Sequence, residues 1–228
     1  MGERMPSDKP EPSSLGAQRQ HWEQTFAARP EMFGREPSDP ARAAATTFKN
    51  AGLKRILELG GGQGRDSAFF AASGFEVHVL DYAQAGVSAI RESAKAAGVT
   101  ELLTVAQHDV REPLPAGDSS FDACYSHMLF CMALTTKELV ELAKEIHRVL
   151  RPGGMCVYTV RNTTDPDFGR GIHRGEGMYE NQGFIVHFFD RAMVELLANG
   201  YELLDVGEFE EAKLPRRLYR VTLRKPAK

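Results

Sequence analysis

Two hydrophobic periods take turns along most of this chain. Arg55-Ile56-Leu57-Glu58-Leu59 is a short apolar run that stops at glycines, and Gly74-Phe75-Glu76-Val77-His78-Val79-Leu80 is another that stops at Asp81. Short apolar runs bounded by turn residues predict strands. Further strands are predicted over 102–107, 121–126, 155–160, 201–208 and 217–224. Between them, apolar residues recur on one helical face, which predicts helices over 65–73, 83–97, 136–150 and 191–198. Two more helices precede the first strand. One covers 17–28, with Trp22 and Phe26 on one face; the other runs to about Asn50, with Ser38 or Asp39 as its cap and Pro40 in its first turn. Strands separated by helices of this size form βαβ units. The expected fold is therefore α/β: a doubly wound, mainly parallel seven-strand sheet with helices on both faces and right-handed crossovers. In such sheets a ligand sits beyond the carboxyl ends of the strands, where the winding reverses.

The remaining segments complete the organisation. Residues 1–15 hold three prolines among Ser, Asp, Glu and Lys and are expected to form a flexible tail. Residues 16–228 are expected to form a single domain, which a chain of 228 residues allows. Two lid segments are expected on it: 16–40, and a polar, glycine-rich, irregular insertion over 162–186. With 42% hydrophobic and 26% charged residues, the composition excludes a mostly disordered chain, a collagen and a coiled coil. No apolar run is long enough to span a membrane, and the first residues lack the apolar core of a signal peptide, so a cytoplasmic protein without membrane contacts is expected. A net charge of −3 without a basic stripe argues against a nucleic-acid partner. The densest basic patch, Pro215 to Arg220, reads as a solvated strand edge. Cys124, Cys131 and Cys156 form no C-x-x-C pair, so neither zinc nor disulfides are expected, and buried reduced thiols fit best. The pattern leaves the oligomeric state open.

Candidate chemistry gathers at the strand ends. Strand one runs into Glu58-Leu59-Gly60-Gly61-Gly62-Gln63-Gly64-Arg65-Asp66. Gly60, Gly62 and Gly64 let backbone approach a ligand without a Cβ in the way, and the following helix start presents free N–H groups. The spacing is G-x-G-x-G. The nicotinamide fingerprint would need a glycine at 65, where Arg65 stands. Asp81 closes strand two, 21 residues after Gly60, where a carboxylate can accept from two ribose hydroxyls. Asp109 follows strand three and can bind an adenine amino group, while Val110 packs on the ring. Three acids at three successive strand ends point to a nucleoside site.

These residues resemble the class I S-adenosylmethionine-dependent methyltransferases. Their first motif, E/D-x-G-x-G-x-G, is matched by Glu58 to Gly64; the second by Leu80-Asp81; the third by Asp109; the fourth by Phe121 to Ser126. Arg148-Val149-Leu150-Arg151-Pro152-Gly153-Gly154 is also typical of that family before strand five. The resemblance covers about 50–160. It implies S-adenosylmethionine as cofactor, with Gly60, Gly62 and Gly64 along the methionine part and Glu58 supporting that loop. It also implies Asp81 on the ribose, Tyr82, Asp109 and Val110 at the adenine, and Ser126 and His127 beside the sulfonium. The segment Trp22 to Ser38 looks like the amino-terminal lid of small-molecule methyltransferases, nearest the thiopurine- and tellurite-type enzymes. That implies acceptor contacts from Trp22 and Phe33, and a small acceptor such as a thiol or another soft nucleophile.

Methyl transfer from a sulfonium is an in-line displacement with an activated leaving group, so the protein mainly positions and desolvates the nucleophile. A thiolate needs little proton chemistry, whereas a hydroxyl or an ammonium needs a base. No N/D-P-P-Y/F follows strand four, the Pro-Cys pair of cytosine enzymes is absent, and no paired Asp and Asn pattern stands out, so no metal is expected. The candidate catalytic residues are His127, His187 and Tyr179, with His187, between Val186 and Phe188, equally readable as a core histidine. Arg161, directly after strand five, is the candidate for holding an anion; His173 and Arg174 are weaker ones. Two alternatives stand beside the soft-nucleophile reading: O- or N-methylation of a small metabolite with a histidine base, and a nucleoside-binding module without turnover.

Overall fold

The computed structural model describes residues 12–211 and 215–227. Two helices lead in, α1 (Pro12–Ala28) and α2 (Asp39–Asn50). Then β1 (Arg55–Leu59), α3 (Arg65–Ala72), β2 (Glu76–Asp81), α4 (Gln84–Ala96), β3 (Leu103–Gln107) and β4 (Phe121–His127) alternate. The chain continues through α5 (Thr136–Val149) and β5 (Leu150–Arg161), and ends with α6 (Arg191–Leu197), β9 (Glu202–Glu210) and β10 (Arg217–Arg224). Between β5 and α6 lie β6 (Ile172–Gly175), β7 (Met178–Asn181) and β8 (Phe184–His187). No helix among the described residues is long and apolar enough to cross a membrane.

The main sheet has seven strands in the order β3-β2-β1-β4-β5-β10-β9. The pairs from β3 to β5 are parallel, and β10 runs antiparallel between β5 and β9. The order reverses at β1, whose neighbours are β2 and β4, so the crevice opens above the ends of β1 and β4. Side chains along the strands alternate between two cores, as the period of a strand requires. Ile56, Val79, Ala123, Tyr125 and Val157 pack under α2, α3 and α4, while Leu57, Leu59, Cys124, Cys156 and Tyr158 pack under α5 and α6. All three cysteines are free and buried.

Local signals explain the helix ends. Ser38 caps α2 by accepting the Ala41 N–H, with Pro40 in the first turn. Thr135 and Glu138 form a reciprocal capping box at the start of α5. Two expectations are corrected. Helix α1 begins at Pro12 instead of Ala17, while residues 1–11 of the expected tail lie outside the described residues. The insertion is not irregular: β6, β7 and β8 form a three-stranded antiparallel sheet. Its turns, Glu176-Gly177 and Gln182-Gly183, have positive φ at both residues, the geometry of type I′ hairpins.

Phe70 is fully buried, with ring centroids of Tyr125, Phe75 and Phe48 at 4.9, 6.0 and 6.4 Å. Phe70→Ala is expected to lower unfolding free energy by about 3–5 kcal/mol, read from the midpoint of urea denaturation. A loss under about 1 kcal/mol would contradict this packing.

Candidate active site

A cavity of about 490 Å³ opens where the sheet order reverses. One end is the loop between β1 and α3. A Cβ on Gly61 would lie 2.4 Å from Val79 Cγ1, so the loop can fold onto β2 only with glycine there. Gly62 has φ +57°, and a Cβ on it would stand in the cavity, 3.6 Å from the Phe33 ring. Gly60 and Gly62 line the cavity; Gly64 instead starts α3 and packs on Ile90.

Two buried carboxylates stand at this end. Asp81 accepts the Gly62 N–H on Oδ2 and the Ala83 N–H on Oδ1, both at 2.9 Å. Burial pushes its pKa up to about 6, against the pull of these bonds. A carboxylate has room for about four donors, so capacity remains for ligand hydroxyls. Glu58 is pushed up to about 8 by burial first and by the Asp66 charge second, and its Oε2 has no partner among the described residues. Tyr82 lines the same wall, and a smaller adjoining pocket of about 50 Å³ is formed by Asp109, Val110, Gly60 and Leu134 among others. Asp109 is held by Arg111 through Nε at 2.9 Å and a second nitrogen at 2.6 Å, which keeps its carboxyl below the ordinary range despite partial burial.

The other end is aromatic. Trp22, Phe26 and Phe33 come from α1 and the loop after it; Tyr179, Phe184 and Phe188 come from the small sheet and the residue after it; Met128 and Met132 close the gap. Gln18 staples the two lids together, donating to Gly183 O at 2.8 Å and accepting the Ile185 N–H at 3.2 Å. Arg65 donates to Phe33 O at 2.7 Å and Gln63 to Arg29 O at 2.6 Å, so the first lid is also tied to the glycine loop.

His127 ends β4 in the cavity wall, with Nδ1 2.7 Å from Thr159 Oγ1. Burial holds it below the usual imidazole range, so it is neutral at pH 7. Asp66 also lines the wall, accepting from Ser38 N and Ser38 Oγ at 2.7 Å and from Tyr125 OH at 3.2 Å.

Three sequence candidates are engaged within the protein. Ser126 is fully buried and donates to Leu59 O at 3.1 Å, so it supports β1 and does not reach the cavity. His187 is also fully buried, with Nδ1 2.8 Å from Leu134 O, and is a core histidine beneath the small sheet. Arg161 lines the cavity but is paired with Asp165 and, at 2.6 Å, with Asp167, so its charge is spent inside the protein. Arg174 is likewise paired, with Glu180 at 2.6 Å. Residues that sequence reasoning missed include Arg29, Asp66, Arg170, Glu211 and Arg216. Asp66, directly after the glycine loop, carried a positional signal; Glu211 and Arg216 did not, because only the β9–β10 pairing brings them here.

Residues 56–154 match the family model described as a methyltransferase domain. That stretch, less than half of the chain, is similar to a methyltransferase domain, and the chain shares its fold with solved methyltransferases. A putative methyltransferase, YqeM, of Bacillus subtilis (strain 168) is 29% identical over 113 residues, 48% of this chain and 43% of that protein, so the match spans less than half of its length. The 1,6-didemethyltoxoflavin-N1-methyltransferase of Burkholderia thailandensis, solved with its substrate and S-adenosylhomocysteine, superposes with a TM-score of 0.73 at 19% identity, covering 99% of this chain and 93% of that one. The [4+2]-cyclase SpnF superposes equally, with a TM-score of 0.73 at 17% identity, covering 96% and 99%. One fold thus hosts different chemistries, and the site has to carry the functional argument.

The buried acids make the stability of the fold pH-sensitive. Glu58 loses its proton at about 4.5 when unfolded and about 8 when folded, so its protonation favours the folded state fully at low pH and that contribution is lost as pH rises through this window. Glu58→Gln is expected to flatten the fall in Tm between about pH 4.5 and 8. An unchanged slope would contradict the raised pKa.

Proposed function

We propose that this protein transfers a methyl group from S-adenosylmethionine to a small, largely apolar acceptor that reacts as a soft anion, such as a thiolate. The observation that carries this reading is one continuous cavity, with the glycine loop and buried acids at one end and an aromatic lid at the other.

The residues present fit the cofactor. Asp81 would hold the ribose hydroxyls; Tyr82, Asp109 and Val110 would enclose the adenine; Gly60 and Gly62 would lie along the methionine part. The unpartnered Glu58 oxygen, buried at that end, leaves a hydrogen-bonding position for a polar group of the ligand. When bound, the cofactor supplies a methyl group on a sulfonium, activated for displacement. The chain's own task is then to align the acceptor and exclude water. Trp22, Phe26, Phe33, Phe184 and Phe188 stack on an apolar acceptor body and remove its solvent shell. Arg29 and Arg170 line the mouth without an acidic partner among the described residues, and favour an anion over a cation at entry. Tyr179 sits within this aromatic wall, its ring 6.2 Å from that of Phe188, and is assigned to acceptor packing.

Release of S-adenosylhomocysteine is expected with thiols and acidic phenols, rising with pH through the acceptor's own ionisation. Turnover confined to alkyl amines would contradict the soft-anion reading. Asp81→Ala is expected to weaken S-adenosylhomocysteine binding by about 1–3 kcal/mol in calorimetry, from the loss of charge-assisted hydrogen bonds. Unchanged affinity would remove Asp81 from the ribose.

A further inference from the structure

His127 and Thr159 are register partners on the adjacent parallel strands β4 and β5, and their side chains meet at 2.7 Å. Thr159 is fully buried, and its Oγ1 already accepts the Met128 N–H at 3.1 Å. A hydroxyl has one proton to donate, and a buried one left without an acceptor is costly. Among the described residues, the acceptor within reach of that proton is His127 Nδ1. A neutral imidazole that accepts at Nδ1 carries its own proton on Nε2. The reverse assignment, with Nδ1–H donating to Thr159, would strand the threonine proton in the core.

The surroundings make the pair rigid. Met128 has φ +69°, uncommon for a residue with a Cβ, and its N–H also reaches Thr159 O at 3.1 Å. The turn after His127 is thereby locked to the residue that orients its ring. The charged groups that bear on His127 are Asp66, Arg65, Glu211 and Arg216, two of each sign.

We infer that Thr159 fixes His127 as its Nε2–H tautomer, so that His127 offers the bound acceptor a hydrogen-bond donor and not a proton-accepting nitrogen. Thr159 is a positioning residue. The role in transfer rests on the proposed methyl transfer; the tautomer does not. The acceptor class follows from the donor: a group that is anionic at neutral pH, namely a thiolate, an acidic phenolate or a deprotonated heterocycle. Its proton has left to solvent before it binds. The new bond forms from its lone pair to the methyl carbon, the carbon–sulfur bond breaks with its electrons going to sulfur, and His127 keeps its proton throughout. An acceptor that must lose a proton finds no base in His127.

Long-range proton–nitrogen correlation spectra of 15N-labelled protein read the tautomer without any substrate, with the His127 signals assigned by their absence in His127→Gln. The wild type is expected to show Nε2 protonated and Nδ1 bare. Thr159→Val is expected to lose that preference, and Thr159→Ser to restore it. A protonated Nδ1 in the wild type, or an unchanged tautomer in Thr159→Val, would overturn the inference. In turnover, His127→Ala is expected to weaken binding of the anionic acceptor roughly 10- to 100-fold, read as a rise in its KM, as for loss of a hydrogen bond to a charged group. His127→Gln, which keeps an N–H near the Nε2 position, is expected to recover about tenfold of that loss in KM, and the wild-type kcat profile to show no limb belonging to the histidine. A kcat lost alike in the alanine and glutamine variants, together with such a limb, would make His127 a base and overturn the inference. An Nε2–H tautomer in a protein that transfers no methyl group would count against the proposed reaction while leaving the tautomer in place.

Discussion

One buried carboxylate sets the shape of everything around it. Asp81 sits at the end of β2 and takes one N–H from the glycine loop and one from the start of the segment leading into α4. Two loops that would otherwise be independent are thereby fixed to one point above the sheet. The arrangement needs glycine: without the space at Gly61 the loop could not fold down onto Val79, and the Gly62 N–H could not reach the carboxylate. Burial raises the pKa of Asp81 to about 6, a cost the fold retains at a position where a nucleoside would need a pair of oxygens.

The aromatic end of the cavity is built from distant parts of the chain. Helix α1 supplies Trp22 and Phe26, the small sheet supplies Tyr179 and Phe184, and the β9–β10 end supplies Glu211 and Arg216. Gln18 reads the edge of β8 as another strand would, with one donor and one acceptor bond, which makes the two lids one wall. Charge is largely balanced within that wall: Arg161 against Asp165 and Asp167, and Arg216 against Glu211. His127 and, without an acidic partner among the described residues, Arg29 and Arg170 also line the cavity.

Much of this was legible in the sequence. The seven strands and their flanking helices follow from runs that alternate between two periods, and Glu58, Asp81 and Asp109 were readable because each stands near the point where an apolar run stops. The small sheet was not, for a physical reason: its strands have four residues each, too few for alternation to register, and its hairpins use Glu-Gly and Gln-Gly instead of the Asn-Gly or Asp-Gly that usually mark such turns. Ser126 and His127 are neighbours in sequence, but in a strand neighbours face opposite sides, so one ended in the core and the other in the cavity. The neutralisation of Arg161 depends on acids four and six residues later that fold back onto it, which no local pattern announces.

The proposed chemistry requires a nucleoside cofactor in the cavity between the glycine loop and the lid. The chain has a single tryptophan, Trp22, and it lines that cavity. Titration with S-adenosylhomocysteine is expected to change Trp22 emission saturably, with the same dissociation constant as the heat of binding. Neither a change in emission nor a heat of binding at millimolar ligand would contradict the account at its centre.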